Sequence, residues 1–112
     1  MDPDKNLGAL IDTLVDKTRN GRLEWSSTPL TSAYNVTFPV HSVTVRRIGS
    51  GILPNYALTI QNSLGEEIES FTSMIPGDSY YASLEELFNR ARRKAMAADE
   101  AIAQIQAELA KV

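Results

Sequence analysis

The sequence predicts an α+β domain with an N-terminal helix, a four- to five-stranded antiparallel sheet and a long C-terminal helix. Three observations carry this prediction. Apolar residues recur at helical spacing near both ends of the chain. Between them lie short runs of alternating apolar and polar residues, separated by Gly, Pro and Asn. No helical pattern interrupts those runs, so strands and helices are segregated as in α+β folds. With 112 residues, 43% of them hydrophobic and 22% charged, residues 1–112 make one domain.

The first helix is expected at about residues 3–20. Leu7, Leu10, Ile11, Leu14, Val15 and Thr18 form one stripe. Asp2 can cap its start with Pro3 at the first helical position, and Lys17, Arg19 and Gly21 suit its end. Leu23 and Trp25 then alternate with Arg22 and Glu24, which predicts a short strand carrying the one tryptophan inward. Ser26 to Ser32, with Pro29, reads as a loop.

Tyr34, Val36 and Phe38 alternate as a strand that Pro39 ends, and His41 to Ile48 continues the extended pattern with Val43 and Val45 on one side. Gly49-Ser50-Gly51 and Pro54-Asn55 punctuate turns around Ile52-Leu53. Tyr56, Leu58 and Ile60 form the next strand, Asn62-Ser63-Leu64-Gly65 the turn, and Glu66 to Thr72 the return. Asn first and Gly fourth fit a type I turn closed by a left-handed glycine. That register pairs Asn62 with Glu66 and Ile60 with Ile68. Pro76-Gly77-Asp78 marks a further turn before Tyr80-Tyr81.

Ser83-Leu84-Glu85-Glu86 is a capping box, and nothing after it breaks a helix. About 27 residues give a rod of roughly 40 Å, longer than the sheet it covers. Leu84, Phe88, Ala91, Ala95, Ala98, Ile102, Ile105 and Leu109 recur at alternating steps of four and three, the seam of helix-on-helix packing. The first of these can lie on the sheet. Ala91, Ala95 and Ala98 permit close approach of another helix, and Ile102, Ile105 and Leu109 would be an exposed stripe in a monomer, so these six are the candidate oligomer interface.

Composition removes several functions. Without cysteine there is no disulfide framework, zinc finger or thiol nucleophile. The single histidine, His41, allows no histidine cluster for a metal, and no Gly-x-Ser-x-Gly elbow surrounds a serine. Glu67 and Glu69, two apart on one strand, are expected on one solvated face, about 7 Å apart. The chain is therefore read as a non-enzyme without cofactor or metal, with a small hydrolase using His41, Glu67 or Glu69 as a minor competing reading. A net charge of −3 and a pI near 5.1 argue against nucleic-acid binding. The Met1-Asp2-Pro3-Asp4-Lys5 start lacks signal-peptide character, and no stretch approaches about 18 apolar residues, so a cytoplasmic protein without membrane contact is expected.

The strongest polar constellation is Arg90, Arg92, Arg93 and Lys94. A solvated face explains most of it, since Glu86 precedes Arg90 by four residues. Arg92, however, flanks the seam, where its planar fork suits a carboxylate or phosphate. Arg46 and Arg47 add cations from the sheet, and Tyr34, Tyr56, Tyr80 and Tyr81 are candidate stacking surfaces.

Two stretches carry a resemblance. Thr18-Arg-Asn-Gly21-Arg-Leu-Glu-Trp25 and Leu84-x-x-Leu87-x-x-x-Ala91-Arg92-Arg93-Lys94-Ala95 resemble small uncharacterised bacterial and phage proteins built of a helix, a strand meander and a terminal helix. In architecture alone, the chain is also similar to phage anti-Thoeris proteins, which sequester a cyclic ADP-ribose signal. That similarity implies action in the host cytoplasm.

These readings combine into a non-catalytic, homo-oligomeric binding module, in its most specific form a phage anti-defence protein. Its expected ligand is a nucleotide-like phosphorylated small molecule, held by Arg90, Arg92, Arg93 and Lys94 with Tyr80 or Tyr81. The alternative is an adaptor or inhibitor that binds a partner protein through the C-terminal helix.

Overall fold

The computed structural model describes residues 3–49, 54–73 and 80–112. Helix α1 spans Pro3–Arg19. A meander follows of β1 (Ser26–Ser27), β2 (Ala33–Thr37), β3 (His41–Ile48), β4 (Asn55–Asn62) and β5 (Glu67–Ser73), and then helices α2 (Tyr81–Ala95) and α3 (Ala98–Leu109). The strands lie in sequence order in one antiparallel sheet, so the fold is α+β. The expected cap at Asp2 and the turn residues 50–53 and 74–79 lie outside the described residues.

The alternation in β2 to β4 does what period two requires. Tyr34, Val36, Val43, Val45, Tyr56 and Leu58 face the helices and are buried. Ile11, Leu14 and Val15 of α1 and Leu84, Leu87, Phe88 and Ala91 of α2 complete this core. Both helices therefore share one face of the sheet. The opposite face is a hydrogen-bonded polar carpet, in which Asn35 donates to Thr44, and Ser42 and Thr44 both donate to Gln61.

Four expectations need correction. Residues 22–25 form no strand, and pairing begins one residue later, at Ser26 opposite Asn35. Trp25 is nonetheless buried, because its indole N–H donates to Thr18 Oγ1 (3.0 Å), which ties it to the end of α1. The capping box is not used: α2 starts at Tyr81 with no side-chain cap, and Glu86 is engaged by arginines instead.

The β4–β5 turn forms as expected, with Asn62 N–H donating to Glu66 O (2.9 Å) and Gly65 at φ 82°. A bulge then shifts the register, so that Ile60 pairs with Glu69 rather than Ile68, and Ile68 is exposed. Two demands differ by one residue here. The turn fixes Asn62 near Glu66, while burial of Phe71 requires it opposite Leu58 on the helix side. The bulge absorbs the difference.

Finally, the C-terminal helix is not one rod. It ends at Ala95, Ala97 adopts a left-handed conformation (φ 50°, ψ 48°), and α3 sets off in a new direction. The bend is secured by Met96 N–H to Arg92 O (2.9 Å), Ala97 N–H to Lys94 O (3.2 Å) and an Arg93–Asp99 ion pair. The seam behaves differently on its two sides. Leu84, Phe88 and Ala91 lie against the sheet, whereas α3 has no buried residue.

Candidate functional site

A left-handed residue at the root of α3 places three helix termini close together. The ends of α1 and α2 and the start of α3 enclose a cleft of about 450 Å³, lined by Thr18, Arg19, Glu24, Arg90, Arg93, Lys94, Asp99 and neighbouring residues. Its size falls in the range of small-molecule sites. Arg19 and Arg90 both reach Glu86 Oε2 at 2.7 Å, Arg93 reaches Asp99 Oδ1 at 2.6 Å, and Lys94 lies 3.5 Å from Glu24 Oε1. The four cleft cations thus draw on three carboxylates, with Glu86 shared by Arg19 and Arg90. The hydrogen bond from Arg19, then that from Arg90, hold the Glu86 carboxyl below its ordinary value, and Glu86 raises the Arg19 guanidinium in turn.

The expected ligand residues are only partly brought together. Arg90, Arg93 and Lys94 share the cleft, and Arg19 joins them from α1, 71 positions before Arg90 in the chain. That contribution was invisible in the sequence, since only the packing of α1 beside α2 creates it. Arg92 lies outside the cleft lining, exposed, with no ion pair among the described residues.

Tyr80 and Tyr81 are at the other end of α2, roughly 14 to 20 Å away along the helix. Tyr81 is buried, its hydroxyl donating to Pro54 O (2.7 Å), and Tyr80 packs edge-on to Phe71. Tyr34 and Tyr56 stack against Phe88 within the core. Arg47 lies over the Phe88 ring, 5.5 Å from its centre. Tyr34, Tyr56, Tyr81 and Phe88 belong to the core, and Tyr80 packs partly buried against it.

The groups weighed for hydrolysis are dispersed. His41 is exposed at the start of β3. The bulge registers Glu67 with Gln61, on the polar face, and Glu69 with Ile60, on the helix face, so the two glutamates do not form the one-faced pair expected from their spacing. Among the described residues no His, Asp and Glu group is arranged to hold a metal ion, and no helix is long and apolar enough to cross a membrane.

The candidate interface residues divide at the bend. Ala91 is fully buried under the sheet and Ala95 partly so. Ile102, Ile105 and Leu109 are 46%, 54% and 65% exposed along one side of α3. Set against known proteins, the chain matches no family, no curated protein and no solved structure.

Proposed function

We propose that this chain is a non-catalytic binding module that assembles as a homo-oligomer through α3, with the cleft at the root of that helix receiving a phosphorylated, nucleotide-like small molecule. One observation carries the assembly: Ile102, Ile105 and Leu109 form an apolar stripe on α3 that no described residue buries. A helix of 12 residues is marginal in water by itself and gains most of its stability from a covered face. The ligand reading is supported by the convergence of Arg19, Arg90, Arg93 and Lys94 around a cavity of suitable size. Their carboxylate partners do not close it to an anion, because exposed ion pairs contribute little and exchange readily. Arg92, exposed on α2 with no ion pair among the described residues, adds a cation outside the cleft.

Light scattering across a concentration series tests the assembly, with a defined oligomer expected for the natural chain and a monomer for Ile102→Ser/Ile105→Ser. A natural chain that stays monomeric at all concentrations would favour the adaptor or inhibitor reading, with α3 open to another protein's helix. For the ligand, calorimetry with ADP-ribose and nucleoside diphosphates should give binding that Arg90→Ala/Arg93→Ala abolishes. Binding unchanged in that variant would remove the cleft as the site.

A further inference from the structure

The exposed seam reads differently from its two ends. Beyond the bend its members are Ala98, Ile102, Ile105, Leu109 and Val112, continuing the alternating steps of four and three. Within α3 the stripe is therefore small at its start, Ala98, and bulky from Ile102 to Leu109. We propose that α3 pairs antiparallel with α3 of a second copy about a two-fold axis between residues 103 and 104. In this arrangement Ala98 sits against Leu109 of the second copy and Ile102 against Ile105 of the second copy. The inference rests on the homo-oligomer reading and specifies its geometry.

Size selects the direction. Antiparallel pairing joins a small residue to a large one at both ends and isoleucine to isoleucine in the middle, so the layers differ less in volume than when each residue meets its own copy. Parallel pairing stacks Ala98 on its copy and Leu109 on its copy, leaving one end loose and the other crowded. The residues bordering the seam agree. In the antiparallel register Asp99 borders Gln106 of the second copy and Ala101 borders Glu108 of the second copy, so no like charges meet. The acidic first turns, Asp99 and Glu100, stay roughly 16 Å apart. Parallel pairing sets those turns side by side.

The occupant is a second copy because the stripe is complementary to its own reversal, and no described part of the same chain buries its Ile102, Ile105 and Leu109. Ala98 to Leu109 overlap over only about 17 Å, less than an interface of standard size provides. The dimer should accordingly be concentration-dependent, with a Kd on the order of micromolar.

The chain has no cysteine, which makes cross-linking decisive. Ala98→Cys and Leu109→Cys are prepared separately in the full chain, both at positions outside the core, and oxidised alone and mixed. The mixture should give a disulfide-linked dimer at the statistical share of mixed pairs, while each variant alone gives none, its sulfurs being too far apart to bridge. Cross-linking of each variant with itself would overturn the proposal in favour of parallel pairing. A mixture that fails to cross-link overturns it too. Light scattering on the unaltered chain separates the failures: a monomer removes the homo-oligomer reading with it, whereas a dimer without the mixed cross-link removes only this pairing.

Discussion

Thr18 shows how much one side chain at an element boundary can decide. Its hydroxyl donates to Leu14 O (2.6 Å) and accepts from the Trp25 indole (3.0 Å), joining the end of α1 to the residue that leads into the sheet. Thr18→Val keeps the shape and leaves a buried donor without its partner. Urea denaturation followed by Trp25 fluorescence should show a loss of about 1 to 2 kcal/mol, with Thr18→Ser close to the natural chain. Glu86 has a different kind of importance, as the shared acceptor of Arg19 and Arg90. Its folded pKa is depressed, so its contribution is complete above the ordinary glutamate value of 4.5 and fades as the pH falls through the lower folded value. Glu86→Gln should therefore lower Tm at pH 7 by no more than about 3 °C, because the pair is exposed, and the difference should vanish in acid.

Among the elements, α2 and α3 share a sequence pattern and differ in what they touch. Phe88 in α2 is 1% exposed and packs its ring on Tyr34 and Tyr56 with Arg47 above it. Phe88→Ala should cost about 3 to 5 kcal/mol in chemical denaturation, whereas a truncation on the open stripe of α3 leaves the body's stability nearly unchanged. The β4–β5 hairpin was half legible. Its turn follows from Asn62 and Gly65, which act locally. The bulge had a signal that went unread: Ile68 and Phe71 are three apart, and a regular strand cannot turn both to one face. The break at Ala97 had no such signal, since Met96, Ala97 and Ala98 are all good helix formers.

The whole molecule is a packed body, comprising α1, the sheet and α2, with a peripheral arm, α3. Removing residues 97–112 should leave the unfolding free energy of the body within about 1 kcal/mol of the natural chain, because α3 adds no buried residue to the core. The same truncation should abolish self-association in light scattering and lower the helical circular dichroism. Loss of the body's cooperative unfolding would instead mean that α3 stabilises the core. At this scale the cleft and the arm are coupled, since Arg93 bonds Asp99 across the bend and Ala97 and Glu100 line the same cavity. A partner helix on α3 and an anion in the cleft would act on one junction.

By itself the sequence determined the α+β class, the first helix, the face that β2, β3 and β4 turn inward and the apolar seam near the C-terminus. Those depend on periodicity and turn chemistry, which act over a few residues. Only the tertiary structure decided where the seam stops being covered, because that is set by how far the sheet and α1 extend beneath α2. It also brought Arg19 to Arg90 and Arg93 and drew Glu86 from its expected cap into an ion-pair network with Arg19. Each of these is a distance between residues remote in the chain, fixed when the core closes.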